Sequence, residues 1–355
     1  MKKILKIVLY LLILILLAFG GFLLYATVTD YKPEEQVKLY ENDSPDAFND
    51  TSVINLLIWN IGYAGLDAEM DFFYDGGEKV RTSRDHTVVN LEAIEAYLST
   101  QDTVDFFLLQ EVDANSKRSY ALNQYDSLVK IFPDYVPVFA ANYDVFFLPV
   151  PISKPLGKVR GGLLTLSRYK PLESVRYSFP GNFDWPKSLF MLDRCFLVNR
   201  YPLENEKELL VINTHNSAYD DGSLREEQMQ YLRNFLIEEY RQGNYIIVGG
   251  DWNQSPPGFK ANYSEDIPDN EDRQDISKDY LPAGWTWMYD TDKPTNRRLK
   301  KPYTRGKTPT ALIDFYLLSP NIESLDIQTF DLGFKHSDHQ PVRAAVKLKA
   351  SNSVL

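Results

Sequence analysis

The sequence predicts an α/β domain placed beyond a membrane by one N-terminal transmembrane helix. Three observations predict it: an unbroken apolar run near the N-terminus, short apolar runs alternating with helical-period segments after residue 50, and polar residues gathered where those short runs end. The 355 residues are 44% hydrophobic and 25% charged, enough for a sizeable core. That balance excludes a disordered chain, a collagen and a disulfide mini-protein. Length alone allows one large domain or two smaller ones. The single cysteine, Cys195, excludes an intrachain disulfide framework and a zinc site built on several thiolates. With 38 basic against 49 acidic residues, the net charge of −11 is not the footprint of a general nucleic-acid binder. A local basic cleft inside an acidic total is still compatible with it.

The first element is the apolar run. Lys2, Lys3 and Lys6 precede residues 7–28, which carry no charge. As a helix this run is roughly 33 Å long, enough to cross a bilayer. The lysines before it and Asp30 after it set the N-terminus in the cytoplasm and the rest outside. The rival reading is a cleaved signal peptide, whose apolar core is shorter and ends at a small-residue site. Here the run is long and ends Leu24-Tyr25-Ala26-Thr27-Val28, without that site. Residues 1–30 are therefore read as the anchor and residues 31–50, polar and nearly free of aliphatic side chains, as a linker.

Residues 51–350 form the expected domain. Strands are predicted at 53–59, 105–109, 162–167, 209–213, 245–248, 312–318 and 341–348, from short apolar or alternating runs. Helices are predicted at 82–98 and 224–240, where apolar residues recur near helical spacing. Trp285 and Trp287 flank Thr286, which reads as a further strand with the indoles in the core. Residues 144–158 and 262–279 read as surface insertions, and 293–310 as a loop.

The chemistry lies at the strand ends. The first strand runs into Asn60 and the second into Gln110-Glu111. Others run into Asn213-Thr214-His215 and Gly249-Gly250-Asp251-Trp252-Asn253, and Leu312-Ile313 runs into Asp314. His336-Ser337-Asp338-His339 precedes the last strand. Sites of α/β sheets lie just outside strand ends, so these groups are expected to converge. Carboxylate and amide oxygens suit Mg²⁺ or Mn²⁺. Such an ion neutralises a phosphate, a carboxylate orients or deprotonates water, and a histidine trades protons near neutral pH. The set fits metal-assisted hydrolysis of a phosphate ester. The sequence has no G-x-S-x-G elbow, P-loop, G-x-G-x-x-G or H-E-x-x-H.

Taken in order, Trp59-Asn60, Gln110-Glu111, Gly162 to Ser167-Arg168, Asn213-Thr214-His215, Gly250-Asp251-Trp252-Asn253, Ile313-Asp314-Phe315 and Ser337-Asp338-His339-Gln340-Pro341-Val342 resemble the endonuclease/exonuclease/phosphatase (DNase I-like) superfamily. The motifs cover about residues 51–348. The resemblance implies a four-layer α/β sandwich of two mixed β-sheets flanked by helices. It also implies roles. Glu111 matches the principal metal ligand, Asn60 the asparagine that helps build the metal site, and Asp338 a second carboxylate near the metal. Asp251 matches the group that positions or activates water, and Asn253 a contact to the scissile phosphate. His339 matches the essential histidine and Asp314 the aspartate that orients it. His215 matches a phosphate contact or proton donor. One position departs: some nucleases of the family carry an aspartate two residues after the first asparagine, and here Gly62 stands there.

Other polar residues have plainer readings. His336 reads as a loop residue, His86 as structural, and Cys195 as buried and inert. Arg297, Arg298, Lys300, Lys301, Arg305 and Lys307 form either a solvated basic loop, a phosphate or headgroup contact, or a patch for anionic lipid. The expected function is a membrane-anchored metal-dependent phosphoesterase acting on a small phosphorylated metabolite, a phospholipid headgroup or a nucleic acid, the last disfavoured by charge. The competing readings are a catalytically silent binding module on the same fold and a purely structural membrane protein. The first predicts loss of one of Glu111, Asp251, Asn253 or His339, and all are present. The second leaves the strand-end polar residues without a use.

Overall fold

In the computed structural model, Lys2–Val28 form one helix, α1, long and apolar enough to cross a membrane and with no apolar window buried in the protein. The structure describes residues 1–45, 47–48, 52–218, 222–261, 267–268 and 274–350. After α1 come β1 (Gln36–Glu41), β2 (Val53–Asn60), α2 (Arg84–Ser99), β3 (Phe106–Asp113), α3 (Gln124–Ile131), β4 (Val136–Leu148), β5 (Gly157–Ser167), β6 (Glu173–Ser178), β7 (Cys195–Pro202) and β8 (Glu208–His215). Then follow α4 (Ser223–Arg241), β9 (Tyr245–Asp251), β10 (Ile267–Pro268), β11 (Thr286–Met288), β12 (Asn296–Arg297), β13 (Pro309–Ala311), β14 (Asp314–Leu318), β15 (Ile322–Thr329) and β16 (Val342–Leu348).

Among the described residues, one sheet has the order β1-β6-β7-β8-β9-β14-β11 and a second β15-β16-β2-β3-β5-β4; a small third sheet is β10-β13-β12. Both large sheets are mixed: β8 and β9 are parallel in the first, β2 and β3 in the second. The alternation of side chains explains the layering. Ile54, Leu56 and Ile58 of β2 and Phe106 and Leu108 of β3 face Leu209, Val211, Ile247 and Tyr316 of the other sheet. Their sequence neighbours Leu57, Trp59, Phe107 and Leu109 face the opposite way, onto Leu91, Ile94 and Leu98 of α2 and Leu128 of α3. Leu210, Ile212, Ile246 and Val248 likewise pack against Met229, Leu232 and Leu236 of α4. Strands covered on both faces must be apolar at every position, which is why these segments read as continuous hydrophobic runs. The result is helix, sheet, sheet, helix, the four-layer arrangement the motifs implied.

Two of the helices, α2 and α3, start at side-chain caps. Ser83 Oγ accepts from the His86 N–H at 3.2 Å, and Asn123 Oδ1 accepts from the Asp126 N–H at 3.2 Å. α4 begins instead behind Gly222 with no side-chain cap.

Several expectations need correction. The segment read as a linker supplies β1, an antiparallel edge strand on β6. Its polar residues fit because an edge strand faces solvent. Of the segment 144–158 read as a surface insertion, both ends belong to the long β4–β5 hairpin. Of 262–279, residues 262–266 and 269–273 lie outside the described residues. Ile276, by contrast, is buried against the α4 face of the first sheet. The segment 293–310 read as loop contains β12 and ends in β13, both too short for a periodic signal. Trp287 lies in β11 and packs on Trp252 and Phe315, as a core indole should.

Candidate active site

The parallel pairs place the polar strand ends at one level. Asn60 is in register with Gln110, and His215 with Asp251. Asp314 pairs with Asp251 from the antiparallel β14. The two sheets are fastened directly beneath: Gln110 Nε2 donates to Asn213 Oδ1 at 2.7 Å, and Asn213 Nδ2 donates to the carbonyls of Leu109 and Leu164. Both side chains are buried, and their hydrogen bonds fix one sheet against the other, although Gln110 Oε1 is buried without a partner.

Above this fastening, Asp251 is the centre. Its Oδ2 accepts from Asn60 Nδ2 at 3.0 Å and lies 3.5 Å from His215 Nε2 and 3.7 Å from His339 Nε2. Its Oδ1 accepts from the Asn253 N–H at 2.9 Å. Asn253 Nδ2 in turn donates to the Asn216 carbonyl. Glu111 Oε1 lies 4.0 Å from His215 Nε2, and its side chain keeps 24% of its surface open. Glu111 interrupts the β3–β5 register and has φ +54°, and Asn253 has φ +52°. Each such non-glycine residue costs about 1–3 kcal/mol and persists only where its surroundings hold it. Strain of this kind gathers at functional sites.

His339 is held on three sides. Its Nδ1 meets Asp314 Oδ2 at 2.8 Å, its Nε2 meets Asn296 Nδ2 at 3.0 Å, and its N–H donates to Ser337 Oγ. The carbonyl of His339 accepts from Trp59 Nε1. Burial disfavours the imidazolium, but the carboxylates of Asp314, Asp251 and Asp338 outweigh it and raise its pKa to about 10. With Nδ2 facing the ring, Asn296 donates to a bare Nε2; a protonated Nε2 takes this partner only with the amide flipped, Oδ1 toward the ring. Burial raises Asp314 to about 6 against the pull of His339, and its Oδ1 is buried without a hydrogen bond. The pair is thus ionic near neutral pH. His215 goes the other way. Burial, then the charges of Arg194, His339 and Arg118, push it well below the usual imidazole range, so it stays neutral.

Two carboxylates share the remaining corner. Burial raises Asp338 to about 7; His339 opposes the shift and Glu111 adds to it. Asp338 feels the charge of Glu111, and these carboxylates with the Asn60 amide are oxygen donors of the kind a hard cation takes. Gly62 packs closely beside this corner: a Cβ there would stand 2.9 Å from Asp338 Oδ1 and 3.1 Å from Ser337 Oγ, at φ +51°. Asp251, Asp314 and His339 also offer ligand atoms within 4.8 Å of one another. There the Asp314–His339 hydrogen bond already uses the ring nitrogen on that side.

All eight expected site residues thus lie in one neighbourhood. Asn253 and Asp338 also line a cleft of about 1040 Å³, together with Asn296, Arg297, Arg298 and Arg225. His336 sits apart, its Nδ1 3.2 Å from Asn90 Oδ1, and His86 is a half-exposed residue of α2 near Asp67. Cys195 is buried. Of the basic cluster, Arg297 is no solvated loop residue. Only 1% of it is exposed, and its guanidinium donates to the carbonyls of Asp67, Met70, Arg298 and Lys301. Sequence reasoning missed Asn296, Thr295 and Arg118. Thr295 Oγ1 accepts from the N–H groups of Ile313 and Asp314, fixing the start of β14. Arg118 pairs with the buried Asp113 at 2.9 Å and lies over the Tyr63 ring. None of the three carries a local signal; each comes from a turn or a two-residue strand.

A model described as "Endonuclease/Exonuclease/phosphatase family" matches residues 57–339. A comparison with curated protein sequences found no match. Solved structures share the fold at low identity. An endonuclease/exonuclease/phosphatase from Beutenbergia cavernae DSM 12333 is 18% identical with a TM-score of 0.55, over 84% of this chain and 72% of that one. ANGEL2, a 2',3'-cyclic phosphatase solved with adenosine-2',3'-vanadate, is 16% identical with a TM-score of 0.54, over 90% of this chain and all of that one. D. rerio TDP2, solved with a single-strand DNA product, is 17% identical with a TM-score of 0.52, over 83% and 99%.

Proposed function

The chain belongs to the endonuclease/exonuclease/phosphatase family, and from that premise we propose that it is a divalent-metal-dependent phosphoesterase. It is held in a membrane by residues 7–28, with its N-terminus cytoplasmic and its catalytic domain outside. One observation carries the enzymatic reading: Asn60, Glu111, His215, Asp251, Asn253, Asp314, Asp338 and His339, from the strand ends of both sheets and the loops beside them, gather in one neighbourhood, where Asn253 and Asp338 border a cleft. The anchoring reading rests on the length and charge flanks of α1.

Asn60, Glu111 and Asp338 are the residues that would hold Mg²⁺ or Mn²⁺, which would neutralise phosphate charge and stabilise the departing oxygen. The remaining roles fall to the chain itself. Asp251, fixed by Asn60 and by the Asn253 N–H, positions a water and takes its proton. The water oxygen bonds to phosphorus, one P–O ester bond breaks, and the departing oxygen takes a proton from solvent. His339, kept cationic by Asp314, holds a non-bridging phosphate oxygen and opposes the charge that grows there. Neutral His215 serves as a hydrogen-bond partner of the phosphate, since its low pKa suits it poorly to be the acid. Asn253 contacts the scissile phosphate.

The vanadate and single-strand DNA complexes of two structural neighbours are consistent with a phosphodiester substrate. The acidic net charge weighs against a long nucleic acid. The test is hydrolysis by the full-length protein of plasmid DNA, phospholipids, inositol phosphates and a soluble aryl phosphodiester. Each is run with Mg²⁺, with Mn²⁺ and with chelator, beside His339→Ala. Turnover that requires metal and is lost in the variant supports the reading. Metal-independent turnover, or none on any substrate in protein that binds no metal, refutes it.

A further inference from the structure

The end of α1 does not project freely from the domain. The Phe22 ring stacks on Phe190 at 5.9 Å and meets Phe146 at 5.8 Å and Phe147 at 6.2 Å. Tyr25 meets Phe146 edge-on at 4.9 Å, Ala26 is buried, and Trp185 Nε1 donates to Thr27 Oγ1 at 3.2 Å. Phe22 precedes the last helical residue, Val28, by about 9 Å of helix. If α1 spans a bilayer, the rings packed around Phe22 stand level with its last apolar turns. They belong to the β4–β5 hairpin and to the 180–190 segment, and both carry exposed apolar residues: Ile152 is 91% exposed and Trp185 59%. Lys154, Lys158 and Lys187 flank them. An aromatic collar with lysines beside it is the composition of a membrane interface, where amphipathic rings sit at headgroup level and cations meet anionic lipid.

The same 180–190 segment forms a wall of the catalytic cleft. Asn182, Phe183, Asp184 and Lys187 line it together with Asn253, Asn296 and Asp338. Phe183 and Trp185 are only two residues apart, at most about 7 Å along the chain. The cleft mouth is therefore fixed beside the collar.

We infer that the collar of Phe146, Phe147, Ile152 and Trp185 seats in the leaflet from which α1 emerges, so that the cleft takes its phosphoester from that bilayer, as a phospholipid. This rests on the anchored phosphoesterase reading and assigns its substrate class. The cavity has room for a headgroup and its phosphate, and the tether keeps the mouth at the depth where such phosphates lie.

The test uses the full-length chain in phosphatidylcholine–phosphatidylglycerol vesicles. Ile152→Cys carries an environment-sensitive label; Cys195 is buried and its thiol raised to about 11, so labelling is selective. Labels at Leu12→Cys in α1 and Leu325→Cys on β15 are the controls. The label at 152, like that at 12, is expected to blue-shift and be quenched by brominated lipid, while that at 325 stays aqueous. Unlabelled Ile152→Asp is expected to lower release of lipid-derived phosphorylated product about tenfold and to leave hydrolysis of a soluble aryl phosphodiester unchanged. A quenched label at 12 with an aqueous label at 152 overturns the seating. Turnover of the soluble ester with none of the lipid overturns the substrate assignment. An unquenched label at 12 refutes the anchor itself, and silence on both substrates refutes the phosphoesterase, so each failure is told apart.

Discussion

Replacing Asp314 by asparagine should remove the charge that keeps His339 cationic. Asp314 Oδ2 touches His339 Nδ1 at 2.8 Å, and both side chains are almost fully enclosed. An opposite charge this close shifts a pKa by about 1–3 units, or about 1.4–4 kcal/mol between the two ring states. His339, raised to about 10 with Asp314 present, should therefore titrate about 1–3 units lower in Asp314→Asn. It stays above a free imidazole only as far as Asp251 and Asp338 hold it. The sign for stability follows. A histidine whose folded pKa is raised contributes fully below its ordinary 6.5, and the contribution is lost as pH climbs toward 10. The variant's deficit in stability should therefore be largest below about pH 6.5 and shrink as pH climbs toward 10. The amide also offers Nδ1 a donor where the ring needs an acceptor, so kcat should fall by roughly 10²–10⁴. The chain has four histidines, so NMR titration of the ring carbons in chelator-treated protein resolves His339. An unchanged His339 titration, or a kcat within about threefold of wild type, would refute this view of the pair.

Three further outcomes are expected. Gly62→Ala sets a Cβ against Asp338 Oδ1 at a positive φ, so it should destabilise by about 1–3 kcal/mol and weaken Mn²⁺ binding; a denaturant melt and titration calorimetry check both. Burial raises Asp193 to about 7, with Arg176 only partly offsetting it. Its contribution is full below the ordinary 3.8 and is lost as pH rises through 7, so Asp193→Asn should gain Tm over wild type at about pH 8 and little at about pH 4. Arg297→Lys leaves four carbonyls without a matching fork and should cost about 2–4 kcal/mol by chemical denaturation.

Much of this architecture was legible because doubly covered strands leave a strong trace. β2, β3, β8 and β9 are apolar through most of their length, so the polar residues near their ends stand out, and Asn60, Glu111, His215 and Asp251 of the candidate site are among them. β1 was hidden because an edge strand needs no apolar face, and its KLYE stretch reads as tether. β4 and β5 were partly hidden because their far ends pack in a small cluster apart from the main core, where Phe146 meets Phe22 and Tyr25 of α1. Arg297 misled for a related reason: six cations in eleven residues look solvated, yet this one is enclosed by carbonyls that no sequence pattern announces. Asn296 and Thr295, which set His339 and the start of β14, stand in or beside a two-residue strand. Glu111 was found by its motif, but its φ of +54° could only come from the bulge in β3.

Glu111 and Asp338 are proposed to build a metal corner that His339 and Asp251 complete for phosphoester hydrolysis. The most direct test is turnover of a soluble aryl phosphodiester by full-length protein titrated with Mn²⁺, with heat of binding measured on the same samples of wild type and Glu111→Gln. The account predicts one binding isotherm that tracks activity in wild type, loss of both in chelator, and weakened binding with at least about 100-fold lower turnover in Glu111→Gln. Activity that persists in chelator, or a Glu111→Gln protein that binds metal and turns over like wild type, would contradict it.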